Sequence, residues 1–137
     1  MNTFIVVNPR KRTVEAIKAD SVSEARTVVG LGDVDHGIAM PGLGYCVYEY
    51  SLFVPAQEQH YFGLGGKLFA GPTIFYAFDS VTGETLRLRR SEFPEVRFYL
   101  GINDVEASIQ RGEIERPFMA VNGVRLWEWP QPAPLRM

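Results

Sequence analysis

The chain has 137 residues, 46% hydrophobic and 22% charged, with a formal net charge of -2. That composition excludes a disordered chain, which lacks the apolar surface to offset ordering, and disfavours general nucleic-acid binding, which needs a basic face. The lone cysteine, Cys46, leaves no internal disulfide or multi-thiolate zinc site open, and its apolar setting reads as that of a small buried hydrophobe.

Thr3–Val7 is a β-branched and aromatic run stopped by Asn8-Pro9, the pattern of a strand entering a turn. Residues 13–19 return as the second arm of a hairpin, with Val14 and Ala16 on one face, Ile17 and Ala19 on the other, and Pro9-Arg10-Lys11-Arg12 at the tip. Ser21 and Glu24 fit a capping box. Val22, Ala25 and Val29 share a helical face that Gly30 ends, so a short helix is expected over 21–29. Residues 30–44, GLGDVDHGIAMPGLG, are expected to form a connection of many turns.

Tyr45–Val54 is the longest β-prone run, and aromatics on both its faces point to a central strand. Residues 55–60 form a polar connector. From Tyr61 to Phe78 glycines are interspersed with aromatic and aliphatic residues, a composition that packs densely yet lets another group approach the backbone. Thr73–Phe78 and Glu84–Arg90 read as a hairpin around residues 79–83, with Leu86 and Leu88 on one face and Arg87 and Arg89 on the other. Val96–Leu100 is a further strand. Asn103 and Glu106 mark the start of a helix over 104–111, stopped by Gly112. Phe118–Val121, Asn122-Gly123 and Val124–Trp129 form the pattern of a type I′ hairpin. The expected class is α+β: a mostly antiparallel sheet, two or three short helices and long glycine-rich loops, in one domain over 1–129 with a proline-rich tail at 130–137.

No run of 18 apolar residues is present, so no membrane-spanning helix is expected. The N-terminus has no basic lead before its short apolar run, which argues against a secretory signal and for a cytoplasmic protein.

The string GLGGKL at 63–68 fails as a phosphate loop. Tyr61 stands where the leading glycine belongs, and Leu68 replaces the hydroxyl residue that would ligate magnesium. Leu68 also occupies the third glycine position of the dinucleotide fingerprint, so a tight turn between strands is the better reading. Asp33, Asp35 and His36 are the candidate metal ligands, although they lack the distal glutamate of a calcium loop and suit a solvated turn. Candidate ligand-binding residues are His60, Tyr61, Gly65, Gly66, Lys67, Arg87 and Arg89. Were the strands carrying Arg87, Arg89, Arg90 and Arg97 adjacent, a cationic stripe flanked by Tyr76, Phe98 or Tyr99 would result. Trp127 and Trp129 share a strand face, as core or interface anchors do.

The order IVVNP, a returning strand, a short helix ending in glycine, a strand with tyrosine and glutamate, YFGLGGKLFAGPTIF and an acidic turn with TGE resembles a family of short uncharacterised proteins of bacteriophages and other mobile elements. The resemblance spans residues 3–86; from Ser91 onward there is no counterpart. It implies an accessory gene product and carries no activity with it.

The leading expectation is therefore a small non-enzymatic binding protein, without a cofactor, that recognises a host protein or a small anionic ligand through the glycine-rich segments 30–44 and 62–72. The alternatives are an enzyme on a small phosphorylated or nucleotide substrate, using His60, Asp33, Asp35 and Glu49, and a homo-oligomeric assembly protein joined through Trp127, Trp129 and the tail.

Overall fold

The structure, a computed structural model, describes residues 2–32, 34–48 and 57–114, without the side chains of Val34, Asp35 and Tyr48. Asp33, Glu49, the expected strand beyond Tyr48, the hairpin centred on Asn122-Gly123, Trp127, Trp129 and the tail at 130–137 lie outside the described residues.

The described chain is α+β, with mostly antiparallel sheet and two α-helices. Its strands are β1 (Asn2–Asn8), β2 (Thr13–Ala19), β3 (Val34–Met40), β4 (Leu43–Tyr48), β5 (Tyr61–Leu64), β6 (Lys67–Ala70), β7 (Thr73–Phe78), β8 (Thr85–Leu86) and β9 (Val96–Phe98). The helices are α1 (Val22–Val29) and α2 (Ile102–Gln110). One sheet runs β2-β1-β7-β4-β3, and a smaller one runs β6-β5-β9. Every pairing is antiparallel. Ala77 pairs with Leu43 on one edge of β7 and with Leu86 on the other. β8 therefore shares an edge of β7 with β1, which takes Thr73–Phe75.

The sheets stack, with a helix on each outer face. Between them lie Ile5, Val7, Tyr45, Val47, Phe62, Leu64, Phe69 and Phe75. The alternate residues of the larger sheet, Phe4, Val6, Cys46 and Ile74, pack with Ala25 of α1. Those of the smaller sheet, Tyr61, Leu68 and Ala70, pack with Val105 of α2. Strands buried on both faces need apolar residues at successive positions, which is why β4, β5 and β7 carry so little polar alternation. Phe62 and Phe69 stack at 5.1 Å with planes 11° apart. Phe75 meets Phe69 edge-on at 5.4 Å, and Tyr45 does the same at 5.0 Å.

The first hairpin turns on Asn8, whose Oδ1 accepts from the amides of Arg10 and Lys11. Helix α1 starts at its expected cap. Ser21 Oγ accepts from Glu24 N at 3.1 Å, while Glu24 reaches back to accept from Asp20 N at 2.7 Å. Gly30 ends α1 at φ 86°. The burial of Cys46 raises its thiol to about 11, partly offset by the nearby Arg26 charge.

Three expectations are corrected. Residues 30–44 are not all turns, because Val34–Met40 pairs with β4 as an outer strand. Glycine permits this: a Cβ on Gly37 would stand 2.5 Å from the Tyr45 ring, its cross-strand neighbour. Helix α2 begins two residues before 104, with Gly101 and not Asn103 at its cap. Asp104 accepts from Leu100 N at 3.0 Å and so anchors that earlier turn, as Glu24 does in α1. The arm after the 79–83 turn pairs only over Thr85–Leu86. Leu88 then turns into the core while Leu86 stays 43% exposed; the chain crosses to the smaller sheet through a 3-10 turn at Arg90–Glu92, where Phe93 meets Phe75 edge-on at 5.2 Å.

Phe75 touches Phe62, Phe69, Tyr45 and Phe93. Truncating Phe75→Ala should cost about 3–5 kcal/mol of stability, as for other buried aromatics. Urea unfolding followed by circular dichroism measures this, and a loss below about 1 kcal/mol would contradict the packing described.

Candidate functional site

The turn joining β5 to β6 is a two-residue hairpin, since Leu64 pairs with Lys67. Gly65 and Gly66 have φ of 60° and 78°, the double left-handed geometry of a type I′ turn, which side chains resist. The expected tight turn at GLGGKL is thus observed. Beside it opens a cleft of about 230 Å³, lined by Gly63, the 65–67 turn, Glu95, Arg97, Tyr99, Glu113 and Ile114. Within it the Tyr99 ring lies over the Gly63 backbone. A Cβ there would come 2.9 Å from the Tyr99 hydroxyl.

One wall is a charged network centred on Glu113. Arg97 Nη1 donates to Glu113 Oε1 at 2.6 Å, and Arg111 donates to both carboxylate oxygens, from Nε at 2.8 Å and from Nη2 at 3.0 Å. Ser108 Oγ donates to the same carboxylate at 3.0 Å and accepts from Arg111 Nη2 at 3.1 Å. Arg97 also stands 3.6 Å from Asp104 and lies over the Tyr99 ring, 4.8 Å from its centroid. These bonds, Arg111 foremost, hold the Glu113 carboxyl down to about 2. Burial pushes the Tyr99 phenol up, with the Ser108 bond opposing it.

The candidate residues do not share one place. Gly65, Gly66 and Lys67 form the rim of this cleft. His60 is exposed at the opposite end of β5, roughly 16 Å along the strand from Gly65, and its amide donates to Gln59 Oε1. Tyr61 is 1% exposed within the core beneath α2, and burial pushes its phenol up. Arg87 and Arg89 are exposed, beyond β8 in the other sheet. His36 is exposed on the outer strand β3, next to Asp35. Among the described residues no group of three or more His, Cys, Asp or Glu stands close enough to hold a metal ion, and no helix is long and apolar enough to cross a membrane.

The single arginine stripe does not form, because β8 and β9 belong to different sheets. Arg97 turns to the α2 side, while Arg90 faces another cleft with Phe98. Tyr76 covers Gly44 on the α1 side. The residues that do converge, Asp104, Ser108, Arg111 and Glu113, are not among the sequence candidates. A signal for them existed: 104, 108 and 111 are spaced to share one helical face that continues into the chain after α2.

No protein-family model matches the chain, nor does any curated protein or solved structure, so the functional reading rests on this geometry.

The depressed Glu113 carboxyl makes a pH prediction. Its network stabilises the fold fully above the unfolded glutamate value of 4.5 and loses that contribution as pH falls through about 2. Wild type should therefore exceed Glu113→Gln in urea midpoint at pH 6, and the two should converge as pH drops from 4.5 towards 2. Parallel curves over that window would refute the network.

Proposed function

We propose that the chain is a non-enzymatic binding protein, an accessory product of the phage or mobile-element kind, that recognises a host protein at the cleft beside the Gly65–Gly66 turn. One observation supports this reading above the others. The charges on and around the cleft balance, with Lys67, Arg97 and Arg111 against Glu95, Asp104 and Glu113. A small anion gains little where the arginines are already engaged by carboxylates. A protein surface carrying both signs gains more, because pre-set charges orient it and reject mismatched partners. Flanking glycines let a partner's backbone approach closely. The accessory role is carried over from the resemblance of residues 3–86 and is part of the proposal. The enzyme reading needs at least two of His60, Asp33, Asp35 and Glu49 to converge in a cleft, and exposed His60 stands at the far end of β5 from this one.

Lys67 makes no ion pair among the described residues, which leaves it able to meet a partner's carboxylate. Immobilised full-length protein should retain a discrete partner from bacterial lysate. Lys67→Glu should reduce that retention by about tenfold or more, whereas Arg87→Glu, exposed in the other sheet, should not. Both variants should unfold at the wild-type temperature. Retention of the same partner by both variants, its loss from both, or retention of no discrete protein would overturn the reading.

A further inference from the structure

A second cleft, of about 450 Å³, lies where the two sheets part. β2 is an outer strand of the larger sheet and β9 an outer strand of the smaller. Between them, side chains of the inter-sheet core come to the surface. Val14, Val96 and Phe98 pack against that core yet remain half-buried, and Phe93 and Pro94 complete the apolar lining. The volume falls within the range of small-molecule sites.

Two exposed arginines line it, Arg12 from the first hairpin and Arg90 from the 3-10 turn. Neither makes an ion pair or side-chain hydrogen bond among the described residues, in contrast to Arg97 and Arg111. Glu95 is the one carboxylate in this lining. Arg12 is also the one non-glycine residue at positive φ among those described, at 57°. The hairpin thus places an arginine where glycine or asparagine is the easier choice.

We infer that this cleft binds a phosphorylated small molecule with a planar ring, of the nucleoside monophosphate class. The guanidinium groups of Arg12 and Arg90 take the phosphate, since planar forks of N–H donors match its oxygens. The half-buried Phe98, with Pro94 and Val96, offers the ring an apolar and aromatic wall. Glu95 accepts from sugar hydroxyls. The site shares Glu95 with the cleft beside the Gly65–Gly66 turn but neither arginine, and it does not depend on what that turn binds.

Calorimetric titration of the full chain with AMP tests the inference. Saturable binding is expected. Arg12→Gly and Arg90→Gln should each weaken it by about tenfold or more, the value of a charged hydrogen bond. Arg12→Gly is informative because glycine suits that backbone, so its melting temperature should hold or rise while binding falls. Inorganic phosphate should bind about tenfold more weakly than AMP, for want of a ring to stack. Lys67→Glu should bind AMP as wild type does. Absence of binding at millimolar AMP, indifference to both arginine variants, or phosphate binding as tight as AMP would each overturn the assignment.

Discussion

The contact on which the rest depends is the aromatic packing between the two sheets. Phe62 and Phe69 from the small sheet are wedged against Tyr45 and Phe75 from the large one. β5 and β6 form only a short hairpin, and an isolated two-stranded hairpin is marginal in water. Its position is held by what its inward residues bury. That burial sets where the Gly65–Gly66 turn projects, and it presents the opposite face, Tyr61 and Leu68, to α2. With α2 seated there, Asp104, Ser108 and Arg111 come to the side of Arg97.

The structure handles its arginines in two ways. On the α2 side they are drawn into a network around one carboxylate, with hydrogen bonds short enough to keep Glu113 ionised well into acid. Such a cluster gains little further from a free anion, and its value is in holding a charged surface in one geometry. On the open side of the sandwich, Arg12 and Arg90 stand beside aromatic and aliphatic side chains without carboxylate partners among the described residues. There the electrostatics favour a guest with negative charge. Glu95 lines both clefts, so β9 separates two surfaces of different character.

Glycine and tyrosine are paired by a common steric logic. Tyr45 lies over Gly37, Tyr76 over Gly44 and Tyr99 over Gly63. In each case a flat ring occupies the space that a neighbouring side chain would need. The glycines that look like loop signals at 37 and 44 therefore lie within strands, which is why residues 34–40 escape a reading by composition. At 65–66 the same residue type does mark a turn, because both positions need positive φ.

Local chemistry was legible from the amino-acid order alone. The first hairpin, the capped helix α1, the strand character of 45–48 and 73–78, the turn at 65–66 and the α+β class follow from turn residues, caps and β-propensity, interactions that span only a few positions. Sheet membership was not legible, because strand pairing depends on contacts between residues far apart in the chain. Separating β8 from β9 removed the condition for an arginine stripe and sent Arg90 and Arg97 to different clefts. Strand geometry left His60, Tyr61 and Lys67 apart although they are close in sequence, since a strand carries its two ends away from each other and alternates its side chains between faces. Tertiary structure alone gathered Arg97, Arg111 and Glu113, because a charged network forms only once the burial of apolar faces has brought its members within hydrogen-bond reach.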